Sequence, residues 1–189
     1  MAPLITELKR IYEIPSLYAQ YNSIAEKTRR SAIQQAADAW GLQYGGMIPQ
    51  GNQFGETTIR IPFFNLGTTS GTAETWNRTL SATGWQTLID KTIIEDVYLA
   101  IWGYILPNAS QKIAALYTEG GDKKLPVINF QGHLQAFEQP IILFDQGIIV
   151  AEEKNFRLDV LVTSTGSNII QPLGSAFAKS KILIAKKPV

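Results

Sequence analysis

The sequence contains no cysteine and a single histidine, His133. Without cysteine the chain can form no disulfide, thiolate metal site or cysteine nucleophile. With one histidine, a zinc site would need carboxylates for its other ligands, which is uncommon, and a histidine-based triad has only one possible base. Nothing near His133 marks a partner. We therefore predict a structural histidine, no catalytic or metal-binding residues, no cofactor and no enzymatic activity.

Charge is also scarce. Charged residues make up 17% of the chain and the formal net charge is +1, so no strong overall field draws the protein to nucleic acid or to a membrane. Hydrophobic residues make up 45% of the 189 residues, which excludes a disordered chain and suffices for a core. A polar but weakly charged surface suits burial against other copies of the chain.

Long apolar runs are missing as well. The longest run, residues 97–107, is far shorter than the ~20 residues that span a bilayer. The first ten residues contain no signal-peptide core. We expect neither a transmembrane segment nor a signal peptide.

Residues 1–44 are predicted to form a helical N-terminal arm. Residues 16–42 contain no glycine or proline before Gly41 and are rich in helix formers. Their apolar positions recur at helical spacing in two sets: Leu17, Tyr21, Ile24 and Thr28, then Ala32, Ala36 and Trp40. Ser16 is the expected N-cap, and a short helix is expected over residues 4–12.

Residues 45–56 are predicted to be a Gly-rich linker and residues 57–189 a β domain. Strand-like segments alternate there with turn formers every 8–12 residues or so, which is typical of a sandwich or barrel. No helical pattern alternates with them, which argues against a parallel α/β sheet. The predicted fold class is mainly β: an antiparallel β-sandwich of jelly-roll type, with about 8–9 strands and an N-terminal α-helical arm.

The strand predicted over residues 92–106 is apolar on both faces. Val97, Leu99 and Ile101 would lie on one face, and Tyr98, Ala100, Trp102 and Tyr104 on the other. Such a strand should be central, or covered on one side by the arm or by a neighbouring subunit.

Aromatic residues are the candidates for ligand or interface contacts. Trp76 and Trp85 lie near predicted loops and could stack on a sugar ring. Trp102, Tyr98 and Tyr104 lie on one strand, where a place in the core or in a subunit interface is the stronger interpretation.

Basic residues cluster in two places. Lys27, Arg29 and Arg30 lie on the arm, and Lys179, Lys181, Lys186 and Lys187 lie in the C-terminal segment. One interpretation is that these residues contact the phosphates of a nucleic acid. The sequence as a whole supports nucleic-acid binding weakly, but contacts made by the arm remain an alternative. Assembly contacts, a solvated helix face or a charged edge strand are the alternatives.

Two acidic pairs, Glu95-Asp96 and Glu152-Glu153, could act as a hydrolytic pair of carboxylates only if they converged across a cleft. Neighbouring residues on a strand point to opposite faces, so neither pair converges by itself. The Gly-rich segments match neither a P-loop nor a dinucleotide motif.

Four segments of the β domain carry a resemblance to a known class of proteins. They are TGWQTLID at residues 83–90, VYLAIWGYILP at 97–107, QPIILFDQG at 139–147 and NFRLDVLV at 155–162. Together with an arm and a Gly-rich linker, they resemble the small single jelly-roll proteins of viral capsids and spikes. The resemblance lies in architecture, covers a little over half of the chain and carries over no functional residues.

That resemblance implies a structural virion protein that assembles as a homo-oligomer and contacts other virion proteins, with the arm tying neighbours together. It places the chain in the virion, and in the host cytoplasm during assembly. The alternative from another class is a carbohydrate- or receptor-binding β-sandwich module that uses Trp76 or Trp85. A sandwich hydrolase with carboxylates at Glu95 or Glu152 ranks last.

Overall fold

The computed structural model describes residues 4–42, 54–59, 63, 76–106, 113–120, 123–124, 128–129 and 140–184. Strands dominate these residues, and all of the strand pairings are antiparallel. A long helix lies in the N-terminal part of the chain. The mainly β, antiparallel fold class with an N-terminal helix is thereby confirmed.

The N-terminal part contains strand β1 (Leu4–Glu7), helix α1 (Leu8–Glu13) and helix α2 (Pro15–Ala39). The prediction of a helix over residues 4–12 is wrong for its first four residues, which are extended. They pair with the edge of a sheet, and such pairing outweighs a weak local preference.

Helix α2 begins two residues earlier than an N-cap at Ser16 predicts, with Pro15 in its first turn, where a missing N–H does no harm. The cap residue is Ile14, without a side-chain hydrogen bond, so the prediction of Ser16 as N-cap is wrong. The end is as expected. Gly41 has φ of 65°, and its N–H and that of Leu42 bond to carbonyls in the last turn, as in a Schellman motif.

Besides β1, the larger sheet contains β2 (Phe54–Thr57), β3 (Trp76–Leu80), β5 (Val97–Ile105), β9 (Pro140–Val150) and β11 (Gly166–Lys179). Their order is β1-β9-β5-β11-β2, and β3 also pairs with β11. Strand β3 pairs with residues 166–170 and β2 with residues 176–179, so both lie along the same edge of β11.

The smaller sheet contains β4 (Gly84–Thr92), β6 (Ile113–Gly120), β7 (Lys123–Lys124), β8 (Ile128–Asn129) and β10 (Asn155–Val162). Their order is β4-β10-β6-β7, and β8 also pairs with β6. The described residues thus contain eleven strands, against about nine expected.

Two buried clusters hold these elements together. The first takes side chains from both sheets, including Leu88 and Ile89 of β4, Leu99 and Ile101 of β5, Ile142 and Phe144 of β9, and Phe156 and Leu158 of β10. The second lies on the other face of the larger sheet, beneath α2. Every residue of β5 is buried, so the prediction of a strand covered on both faces is confirmed, with the arm as the cover.

A β-bulge changes the orientation of Tyr104. The β5–β9 register shifts between Ile101 and Gly103, and an extra residue reverses the alternation of side chains that follow it. Tyr98 and Trp102 face the arm, whereas Tyr104 lies in the core shared by the two sheets. The prediction that all three share one face is therefore wrong for Tyr104.

Two other strand predictions differ from the structure. The turn formers Asp145-Gln-Gly between the apolar segments 141–144 and 148–151 predict two separate strands. In the structure β9 runs through both segments, and residues 144–147 form an irregularity opposite Trp102. The alternating side chains of residues 176–185 predict a final strand there, but β11 ends at Lys179 and helix α3 (Ser180–Ile184) follows. The expected linker lies largely outside the described residues, and β2 overlaps its last three positions.

Candidate assembly site

The arm covers the outer face of the larger sheet. The interface side of α2 contains Ala25, Thr28, Ala32, Ile33 and Ala36, all buried. They meet apolar side chains of three strands: Tyr98, Ala100, Trp102 and Ile105 of β5, Ile141 and Leu143 of β9, and Phe177 of β11. Leu17, Tyr21, Ile24 and Trp40 pack at the border of the same cluster. The apolar positions expected at helical spacing are therefore the ones that contact the sheet.

Small residues set the distance between helix and sheet. A Cβ atom added to Gly147 would lie 2.6 Å from the Cβ of Thr28 and closer still to its hydroxyl oxygen. No such separation occurs between real side chains, so β9 can pass beneath the helix only with glycine at this position. Gly147 ends the Asp145-Gln-Gly sequence, whose composition is typical of a turn, but in the structure it permits the close approach of α2.

An ion pair fixes the middle of α2 to strand β2. The guanidinium of Arg29 donates from Nε to Oε1 of Glu56 at 2.7 Å and from Nη2 to Oε2 at 2.5 Å. It also contacts Glu26, one turn earlier. Burial alone would raise the pKa of Glu56, but the hydrogen bonds from Arg29 and Ser175 outweigh it and hold that pKa below its ordinary value.

The three basic residues predicted on the arm therefore differ in role. Arg29 is engaged within the chain, which argues against phosphate contacts by that residue. Lys27 and Arg30 are exposed, and Nε of Arg30 lies 3.7 Å from Oε2 of Glu26. Of the three predicted basic residues, Lys27 and Arg30 therefore remain to offer charge to a partner, which weakens the nucleic-acid interpretation of the arm.

The five aromatic candidates separate into buried and surface residues. Tyr98 and Trp102 are 6% exposed and Tyr104 is 0% exposed, so none of the three can reach a ligand while the chain is folded. Trp85 is 48% exposed, near the start of β4. Trp76 lies on β3 opposite Ile170 of β11, and its side chain is outside the described part.

A further exposed apolar surface was not predicted. Tyr12, Ile14 and Tyr18 form it at the corner between α1 and α2, with exposures of 68%, 39% and 46%. The two tyrosine rings lie 6.3 Å apart. The sequence signal was available, because these residues flank Pro15 and fall outside the apolar positions of α2. We call these three residues the aromatic corner.

Polar groups from distant parts of the chain meet where α2 ends. Trp40 Nε1 donates to Oε1 of Glu152 at 3.1 Å, and the backbone N–H of Asp96 donates to Oε2 of Glu152 at 2.6 Å. The buried carboxylate of Asp96 pairs with Lys179 at 2.5 Å and also with Lys181. We call these five residues the helix-end cluster. No local sequence pattern could have revealed it.

This cluster brings one member of each acidic pair together, which the sequence did not predict. Both oxygens of Glu152 accept hydrogen bonds, and the Asp96 carboxylate is neutralised by two ammonium groups. A general acid or base needs an oxygen facing a reacting group.

Within the described ranges, no three His, Asp or Glu residues are grouped so that they could hold a metal ion. His133 lies outside those ranges.

No protein-family model, curated protein or solved structure matches the chain. Among the residues that the structure describes, no helix combines the length and apolar character needed to cross a membrane.

Proposed function

We propose that the chain is a structural virion protein of the capsid or spike type that functions by homo-oligomeric assembly, without catalysis. The strand order carries this proposal. A jelly roll has eight strands in two sheets. Numbered along the chain, the first sheet has the order first-eighth-third-sixth, and the second sheet has the order second-seventh-fourth-fifth.

The order β2/β3-β11-β5-β9 fits the first of these sheets if β2 and β3 count as one interrupted strand. The order β4-β10-β6-β7/β8 fits the second. Strand β1 is an addition at the edge of β9. A jelly-roll β-sandwich is thus our interpretation of the two sheets, and small jelly rolls are a common building block of viral shells.

The surface supports assembly at one place in particular. The arm is occupied by its own sheet, so the aromatic corner is the part of the arm that remains for neighbours. Exposed aromatic side chains are enriched at subunit interfaces, where they contribute large apolar areas.

Light scattering coupled to size-exclusion chromatography tests this proposal. We expect the purified chain to form a closed oligomer, and the double substitution Tyr12→Ser, Tyr18→Ser to shift it toward monomer while the fold is retained. Trp85→Ser, which removes an equally exposed aromatic on the other sheet, is the matched control. A chain that is strictly monomeric at high concentration and does not associate with particles would overturn the proposal.

A second candidate function rests on Trp85. An exposed indole on a β-sheet can stack on a sugar ring, as in carbohydrate- or receptor-binding modules. A glycan array decides between the two functions. Binding that is abolished by Trp85→Ala in a folded chain, and is unaffected by changes at the aromatic corner, would favour the binding module.

A further inference from the structure

The helix-end cluster is centred on a residue with an unusual backbone. Asp96 has φ of 62°, a region that residues other than glycine rarely adopt and that costs about 1 kcal/mol or more. Its N–H is held by Glu152, and its carbonyl accepts the N–H of Lys179 at 3.1 Å. This conformation turns the carboxylate inward, where it is 2% exposed at the residue level.

Trp40 connects this centre to the helix. Besides its hydrogen bond to Glu152, its ring lies beneath the Lys179 ammonium, with 5.4 Å between nitrogen and centroid. The same ring packs edge-on against Tyr98 and Phe54 at 5.5 and 5.6 Å. One of the two lysines that neutralise Asp96 is therefore also the cation above Trp40, so Trp40 is the side chain of the helix that a change at Asp96 affects.

The rest of the arm is held by other forces. Between Leu17 and Ile33, apolar side chains pack against the sheet and Tyr21 hydrogen-bonds to Trp102. The ion pair of Arg29 with Glu56 lies outside the helix-end cluster. The Arg29–Glu56 pair shares no residue with the helix-end cluster, and interactions without shared partners contribute nearly independently to stability. The end of α2 can therefore open while its middle stays docked.

We propose that the helix-end cluster is a latch, in which the charge of Asp96 keeps Lys179 over Trp40 and thereby fastens the last turn of the arm to the sheet. When that charge is removed, the last turn detaches and uncovers the edges of Tyr98 and Phe54. The latch belongs to one chain and does not depend on oligomeric assembly.

Other charged groups lie near the cluster. Glu95 precedes Asp96 and interacts electrostatically with Lys181, while Glu153 and Lys154 follow Glu152 in the sequence. Burial would raise the pKa of Asp96, but Lys179 and Lys181 outweigh it and hold that pKa below its ordinary value. The latch is thus closed at neutral pH.

Hydrogen exchange followed by mass spectrometry tests the latch in the full chain. In Asp96→Asn, whose side chain has nearly the same shape and also tolerates positive φ, we expect amides of residues 36–42 to exchange about tenfold faster, equivalent to ~1.4 kcal/mol of local opening. Residues 25–33 should keep their protection. Asp90→Asn, an exposed aspartate on β4 that accepts from Asn155, is the matched control and should change neither segment.

Two further variants keep the test decisive if Asp96→Asn folds poorly. Trp40→Phe keeps the aromatic packing and removes the N–H donor, and Lys179→Gln removes the ammonium group that lies over Trp40. Both should accelerate exchange at residues 36–42 alone. Unchanged exchange in both variants, or an equal acceleration along the whole of α2, would overturn the latch.

Discussion

Gly147 is the residue on which the packing of the arm depends most directly, because a single added carbon would meet Thr28. We expect Gly147→Ala to lower the free energy of unfolding by about 1–3 kcal/mol, the usual cost of overpacking. Urea denaturation measures the loss. In a Thr28→Gly background the same substitution should cost less, since the clash is then removed. An identical loss in both backgrounds would show that the contact does not limit the packing.

The pH dependence of stability should depend on Asp96. Its pKa is lower in the folded chain, so folding favours the carboxylate, and its contribution is complete above the unfolded value of about 3.9. That contribution disappears as the pH falls through the lower, folded pKa. The stability difference between the natural chain and Asp96→Asn should therefore be constant near neutral pH and shrink below about pH 4. A difference that persists undiminished in acid would contradict the ion pairing.

At the level of elements, two tryptophans allow a direct comparison of buried and exposed positions. Trp102 lies between β5 and the arm, whereas Trp85 is half exposed on β4. Trp102→Ala should cost about 3–5 kcal/mol, as for other large-to-small substitutions in a core. Trp85→Ala should stay within about 0.5 kcal/mol. Thermal and urea unfolding of both variants measure these losses, and equal losses would mean that the arm does not cover Trp102 in solution.

The elements also show which predictions the sequence could support. Periodicity identified α2 and its buried side because the apolar spacing of Ala32, Ala36 and Trp40 is a property of the helix itself. The bulge near Trp102 and the irregularity in β9 were missed because they depend on a partner strand. Asp145-Gln-Gly resembles a turn by composition, and only the helix above Gly147 explains why glycine is required there.

The candidate sites were less predictable than the elements, for a related reason. The helix-end cluster joins residues 40, 96, 152, 179 and 181, which no local pattern connects. The exposed aromatic corner could have been found, since Tyr12, Ile14 and Tyr18 do not fit the apolar side of α2. Arg29 was interpreted as a surface charge because its partner, Glu56, lies 27 residues later in the sequence.

At the level of the whole molecule, removal of residues 1–42 tests whether the arm is an appendage or part of the fold. The deletion removes edge strand β1 and uncovers Tyr98, Trp102 and Phe177. Exposed apolar patches of this kind promote association, so we expect the truncated chain to bind a hydrophobic dye and to aggregate. A peptide of residues 1–42 added in trans should reduce both effects. A truncated chain that is soluble and stable and does not bind the dye would show that the sheets fold without the arm.

The position of β11 has a consequence for folding on the ribosome. It is the last strand among the described residues, yet it lies in the middle of the larger sheet, between β5 and the edge formed by β2 and β3. The strands that pair with β11 are thus synthesised before it, and their edges stay unpaired until β11 has been made. Unpaired strand edges promote aggregation. Pairings between distant segments also slow folding. Synthesis rate and chaperone supply should therefore limit the yield of this protein more than its final stability does.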